Sequence, residues 1–347
     1  MGSPLRSRLW KVVTPGRALT AGLLALAAAI ALFIVPSSEY IYLPDTAHPV
    51  GPLVSVAGGH AEKGPGGIYF VDVIVRKATL LERLFGGLHA GADLETPSDV
   101  LPAGVTNAQN DQLSLEEMKT SQQVAGAVAL RSLGYKVKAS DSGALVDGIE
   151  PGLPAEGKLI PTDVIVAVDG TKVTSPATLT KAMRGRPIGQ TVTFTIRRGT
   201  ATKTIAIRTV ADGKKSKRAV IGIFVDQAES IHLPIHVSID AGNVGGPSAG
   251  LAFALDVLEK LGRNVDRGNK IAATGEIFLN GDVGPIGGVK QKTYGARAAG
   301  VDAFLVPAGQ NATDAKRYAH GLRIIPVKSF QQALHALATL PEKRAAG

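Results

Sequence analysis

Residues 18–35, an unbroken apolar run without one charged side chain, constrain the chain more than any other feature. At about 1.5 Å rise per residue a helix of that length covers roughly 27 Å, close to the hydrocarbon thickness of a bilayer. Arg6, Arg8, Lys11 and Arg17 precede the run and Pro36-Ser37-Ser38-Glu39 follows it, so the positive-inside rule puts residues 1–17 in the cytoplasm and everything after residue 36 outside. A cleaved secretory signal is the competing reading. The apolar stretch is long for a signal, however, and Phe33-Ile34-Val35 lacks the small residues of a cleavage site. The expectation is an uncleaved single-pass anchor over residues 18–36.

The remaining length is enough for two or three folded units. The net charge of +9 does not point to nucleic acid, because it is concentrated in the basic N-terminus and in Lys214-Lys215-Ser216-Lys217-Arg218, and neither cluster is interleaved with aromatic residues. The second cluster reads as a solvated linker over residues 213–218. The absence of cysteine excludes disulfides, zinc–thiolate sites and thiol catalysis together.

Residues 68–75, Ile-Tyr-Phe-Val-Asp-Val-Ile-Val, read as a strand after the glycine-rich turn Lys63-Gly64-Pro65-Gly66-Gly67. Ser114 and Glu117 have capping-box spacing, and Met118, Val124, Val128 and Leu133 recur at near-helical intervals up to Gly134. Ser121 and Gln122 on that helix are expected on its solvated face. From residue 143 onward short apolar strands alternate with Pro/Gly turns: Ala144-Leu145-Val146, Pro151-Gly152-Leu153-Pro154-Ala155-Glu156, Asp163-Val164-Ile165-Val166-Ala167-Val168-Asp169-Gly170, and residues 191–196 after a helix. This order resembles the PDZ domains of exported bacterial proteases. The resemblance implies capture of an extended peptide by strand addition. Leu133-Gly134-Tyr135-Lys136 is the one segment that could serve as the carboxylate-binding loop, and a PDZ that only spaces other parts is the alternative.

The chemistry is concentrated after residue 219. Gly245-Gly246-Pro247-Ser248-Ala249-Gly250 leads into the apolar helix 251–258, so Ser248 sits where a glycine-rich loop becomes a helix. Backbone donors in a first helical turn can hold a developing oxyanion, and glycine lets a substrate approach closely. Alone, the motif is equally a serine N-cap. Farther on, Pro285-Ile286-Gly287-Gly288-Val289-Lys290-Gln291-Lys292 opens a second helix. A lysine at a helix N-terminus is disfavoured as a cation by the dipole and by desolvation, which suits it to accept a serine proton. Lys290 is the expected base. His232 and His236, four apart on strand-like sequence, have no third ligand, and no metal is expected; no histidine has the partners for a Ser-His-Asp triad.

Taken jointly, these segments resemble the proteolytic domain of Lon proteases, with Gly-Pro-Ser248-Ala-Gly for the nucleophile, Thr274-Gly275-Glu276-Ile277, the Pro285-to-Lys292 motif, and His236-Val237 before them. The resemblance implies a Ser248–Lys290 dyad, support from the Thr274 hydroxyl, oxyanion donors around Gly246, Pro247 and Ala249, and no cofactor. It departs at Gly245, where the family carries an acid. Residues 63–75 and 115–122 resemble the first strands and helix of the same fold, so the implied class is α+β: a Lon-type domain (37–138 and 219–347) interrupted by a PDZ domain (139–212), behind one transmembrane helix. The whole chain resembles the exported PDZ-containing Lon-like proteases of Gram-positive bacteria. It implies an ATP-independent serine endopeptidase acting on protein or peptide substrates, assembled as a homo-oligomeric ring, with six subunits the expected number. No Walker motif occurs in the sequence. The rivals are a non-catalytic peptide-binding scaffold and a protein that cleaves only itself.

Overall fold

A computed structural model describes residues 15–60, 65–101, 105–213 and 218–343. Arg6, Arg8, Lys11, the Lys63-Gly64 turn and the lysines of the 214–217 linker lie outside these residues.

The described chain divides into two compact units. The first begins with α1 (Pro15–Ile34), exposed along its length and, among the described residues, the one helix long and apolar enough to cross a membrane. By length and composition a signal sequence would pass the same test. Pro36–Pro44 follows as the central strand of a three-stranded sheet with Val73–Thr79 and Asp93–Glu95. Ile41, Ala78 and Ala92 form its small core. Between the last two strands lies the short helix α2 (Leu80–Leu84), started by a Thr79–Glu82 capping box.

The second unit opens with β1 (Gly67–Phe70) and the long helix α3 (Asn107–Ser132). The helix starts seven residues before Ser114: its capping box is Thr106 with Gln109, not Ser114 with Glu117. It ends with Gly134 N–H donating to the Arg131 carbonyl and Tyr135 N–H to that of Leu130. These bonds form a helix C-cap on a left-handed Gly134, so Leu133-Gly134-Tyr135 spends its donors closing the helix and is no carboxylate loop.

Next come β2 (Lys138–Ile149), β3 (Val164–Val168), α4 (Pro176–Met183), β4 (Thr191–Arg198), β5 (Ala201–Arg208) and β6 (Ile223–His232). Their sheet has the order β5-β4-β3-β2-β6. Val146, Ile165, Val168, Phe194 and Ile207 turn inward to a core closed by Leu179 of α4. β2 is paired on both sides. Ala144 and Leu145 face Ile165 and Val164 of β3, while β6 runs antiparallel to the whole of β2, from Lys138↔His232 to Ile149↔Ile223. The free edges are therefore β5 and β6.

The chain then forms α5 (Gly250–Lys260), β7 (Lys270–Ala273), α6 (Val289–Ala298), β8 (Ala303–Pro307), β9 (Arg323–Val327) and α7 (Phe330–Ala338). Parallel pairing runs β1-β7-β8-β9, with Lys270 opposite Gly67, and His48–Pro49 pairs antiparallel on the outer side of β1. A strand from before the β2–β6 sheet thus completes the sheet that follows it. Five consecutive buried residues in β8 form a continuous apolar run, and nine in α5 (250–258), apolar apart from Asp256, are buried all round because both faces are covered. Met118, Ala125 and Val128 of α3 share one core with Leu251, Phe253 and Leu258 of α5 and Ile271 of β7.

Candidate active site

Ser248 lies in a single 3₁₀ turn, Pro247–Ala249, that feeds directly into α5. Gly246 precedes it at φ 81°, ψ 158°, a conformation that a side chain would strain. Helix α3 holds this loop from outside. The Gly246 N–H donates to the Ser114 carbonyl at 2.7 Å, and the Ser121 hydroxyl donates to the Pro247 carbonyl at 2.9 Å. Ser121 is only 4% exposed, so the helical face expected in solvent is the one against the nucleophile loop. The packing leaves no slack. A Cβ on Gly250 would lie 2.6 Å from Ser121 Oγ, and one on Gly245 would lie 2.7 Å from Ser114 Cβ. An acidic side chain at position 245 would have to displace Ser114 of α3.

From the other side, Ser248's carbonyl accepts two bonds, from Gly275 N–H at 2.7 Å and from the Thr274 hydroxyl at 3.1 Å. Thr274 is fully buried at the end of β7, where its N–H bonds the Leu305 carbonyl. The Thr-Gly-Glu-Ile segment therefore clamps the backbone of the turn that carries Ser248.

The lysine beside Ser248 is Lys292, not Lys290. Lys292 Nζ lies 2.5 Å from Ser248 Oγ and 3.3 Å from Thr274 Oγ1, and the residue is 4% exposed. Burial pushes its amine from 10.5 down to about 8, opposed by the negative charge of Asp72. Lys290 instead carries its ammonium over the Tyr318 ring, 5.7 Å from the centroid. Helix register is the physical reason. At about 100° per residue, two positions are some 200° apart, so the two lysines of Val-Lys-Gln-Lys leave α6 on opposite faces. Gly288, Lys292 and Gly295 share one face, which meets Val73 at Gly288 and the Asp45 carbonyl and Val71 at Gly295. The sequence held the signal: Val289, Lys292, Thr293 and Ala296 follow i, i+3, i+4, i+7 and all four are buried.

Asp45, His48 and Asp72 place their ligand atoms within 4.8 Å of one another, the one such group among the described residues. His48 Nε2 lies 3.2 Å from Asp45 and 3.7 Å from Asp72. Burial and the neighbouring Asp45 raise the Asp72 carboxyl. Across the site, Glu117 of α3 and Glu276 are each raised, chiefly by burial. Of the residues expected to supply oxyanion donors, Gly246 has spent its N–H on Ser114 and Pro247 has none, which leaves the N–H groups of Ser248 and Ala249.

Residues 173–339 match the Lon protease (S16) C-terminal proteolytic domain, and residues 132–209 match the PDZ domain. The chain carries a Lon-type proteolytic domain and a PDZ domain. Similar proteins include the Lon protease of Chloroflexus aggregans, 35% identical over 133 residues that make up 37% of this chain and 16% of that protein. Lon protease 2 of Bacillus subtilis is 36% identical over 108 residues, 31% of this chain and 19% of its own length. Each match thus spans less than a fifth of the relative. Among solved structures, the PDZ domain of an SdrC-like protein from Listeria monocytogenes is 25% identical, with a TM-score of 0.23, covering 24% of this chain and 87% of that one. The Lon and PDZ matches overlap over residues 173–209, which form α4 and the strands β4 and β5.

Proposed function

We propose that this chain is an ATP-independent serine endopeptidase in which Ser248 is the nucleophile and Lys292 the general base. The observation that carries the reading is the buried Lys292 amine 2.5 Å from the Ser248 hydroxyl. A lysine lowered to about 8 is neutral often enough near neutral pH to take the hydroxyl proton. Oγ then adds to the scissile carbonyl, the oxyanion faces the N–H groups of Ser248 and Ala249, and the Lys292 ammonium returns its proton to the leaving amine. Water attacks the acyl-serine in the second half, giving its proton to Lys292, which passes it to the departing Ser248 Oγ as the carboxylic acid is released. Thr274 holds both Lys292 and the Ser248 backbone in register.

We read β1 and α3 as the first half of the Lon-type domain, residues 139–212 as an inserted PDZ domain, and α1 as an uncleaved anchor that puts the catalytic part outside the cytoplasmic membrane. Substrates on this reading are exported or membrane-associated polypeptides, captured through the PDZ domain, and the working form is a ring of copies, with six subunits expected. Purified full chain should hydrolyse an unstructured protein such as casein without nucleotide, and Ser248→Ala and Lys292→Met should each abolish this while leaving the melting transition intact. Retained activity in either variant would refute the dyad. A product formed only from the chain itself, identified by mass analysis, would favour self-processing, and an inert wild type with a peptide-binding PDZ would favour the scaffold. Protease added to spheroplasts should digest the chain beyond Pro36, and protection of that region would refute the topology.

A further inference from the structure

The first unit carries an apolar surface that its own core does not use. Leu84, Phe85 and Leu88 are 65%, 58% and 51% exposed, although each lies in an ordered turn. Phe85 N–H donates to the Leu81 carbonyl and Leu88 N–H to that of Phe85, and Gly86 rests against Leu94 of the sheet. The position of this turn is fixed. α2 packs on α1, and Leu80 N–H donates at 3.0 Å to the carbonyl of Val35, the last residue of the apolar run. The exposed side chains are therefore held beside the end of the helix read as a membrane span, at the depth where hydrocarbon gives way to headgroups.

The charges around them fit the same boundary. Arg76 pairs with Glu82, which His89 also bonds, while Arg83, paired to Glu39 at 3.1 Å, keeps half its side chain exposed. Lys77 adds a cation, so residues 74–89 carry three basic side chains (Arg76, Lys77, Arg83) against one acid, Glu82, while Asp93, Glu95 and Asp99 follow later in the unit. Long basic side chains beside exposed Leu and Phe match a lipid surface, where apolar groups enter the acyl boundary and cations reach phosphate.

We propose that Leu84, Phe85 and Leu88 insert into the outer-leaflet interface, giving the protein a second, monotopic contact with the bilayer that fixes the orientation of the first unit on the membrane. The inference rests on reading α1 as a spanning helix. Because the chain contains no cysteine, a single introduced cysteine can be labelled uniquely. Full-length Phe85→Cys, Leu88→Cys, Leu24→Cys and Lys172→Cys variants, each carrying a nitrobenzoxadiazole label, would be reconstituted in vesicles of phosphatidylglycerol and phosphatidylcholine. Lipids spin-labelled near the headgroup or deep in the acyl chain then serve as quenchers. Labels at 85 and 88 should be quenched severalfold more than the label at 172, mainly by the shallow quencher, while the label at 24 answers to the deep one. Quenching at 24 with none at 85 and 88 overturns the proposal and leaves the anchor standing. Labels at 85 and 88 that are shielded from aqueous iodide yet untouched by lipid quenchers would put a protein partner on this surface and also overturn it. No quenching at 24 refutes the span, and the proposal falls with it.

Discussion

Replacing the two lysines of the Val-Lys-Gln-Lys helix start one at a time separates the possible bases, because only Lys292 shares a hydrogen-bonded, desolvated site with Ser248. An ordinary lysine at 10.5 would be neutral in about one molecule in three thousand at pH 7; at about 8 it is neutral in about one in ten, roughly a 300-fold larger population of competent base. If that amine is the base, kcat/KM of the wild type climbs about tenfold from pH 6 to 7 and levels off above about pH 8. Lys290→Ala should trace the same curve, since its ammonium lies over Tyr318. Lys292→Ala should lose a factor on the order of 10²–10⁴ or more, and Lys292→Arg should be equally inactive because a guanidinium holds its proton. Lys292→Met, of similar volume, separates loss of the base from loss of packing. The assay is hydrolysis of a fluorogenic peptide across pH 6–10, with thermal unfolding of each variant as a control. A dead Lys290→Ala, an active Lys292→Ala, or an acid limb centred near pH 10 would refute the reasoning.

Ser121→Ala removes the hydroxyl that holds the Pro247 carbonyl and should cost about 1 kcal/mol in urea unfolding together with a fall in kcat rather than a rise in KM. Gly245→Asp, which restores the acid of the related proteins, should inactivate this one by forcing its Cβ into Ser114 at a cost of about 1–3 kcal/mol; adding Ser114→Gly should return activity, and failure of the double variant to recover would show that sterics are not the reason for Gly245. Asp72→Asn removes a charge that holds the Lys292 amine up, so the neutral form should persist to lower pH and the acid limb of kcat/KM should move down; a limb that stays or rises would exclude this electrostatic link. Deleting residues 143–210 should abolish cleavage of short peptides as well as proteins, and full peptidase activity of the remainder would show that the PDZ domain acts in capture alone.

The features legible in the sequence were those with a local cause. The apolar run became α1, the Gly-Pro-Ser turn became a 3₁₀ turn feeding α5, and Thr274 lies under Ser248. Two of the errors, at Lys290 and Ser121, depend on what a distant segment presents, and two, at Ser114 and Gly134, on a local pattern with two readings. Dipole arguments at the start of α6 apply to Lys290 and Lys292 alike; only the face packed on Val71 and Val73 decides which is desolvated. Ser121 looked solvated because its own helix has no sharp apolar stripe, and the partner that buries it is the Pro247 carbonyl, 126 residues away in sequence. The Ser114–Glu117 spacing imitated a capping box inside a helix that Thr106 had already begun. Gly134 was conspicuous in sequence, but its left-handed turn serves a helix end, which no local pattern separates from an anion nest.

β6 also changes what strand addition can mean here. β2, the strand that follows the C-cap of α3, is covered on one edge by β6 from Lys138 to Ile149 and meets β3 on the other edge at Ala144 and Leu145. An incoming peptide can then pair with β6, with β5 or with β2 ahead of Ala144 on its β3 side, and reaches the other edge of β2 only by displacing β6. Displacement would not be local. β6 runs on through Leu233 into Val237–Ile239, which pairs with Val54–Val56, and Gly126 of α3 closes against both Leu233 and Val237. The same helix holds Gly246 through the Ser114 carbonyl and Pro247 through the Ser121 hydroxyl. Removing residues 143–210 takes away most of β2 and leaves the strand leading to the nucleophile loop without its partner, which is why that deletion should affect chemistry and not only capture. The separable perturbation is one that blocks a free edge while keeping β2 paired to β6, since it alone leaves the path from β6 through α3 to Ser248 unaltered.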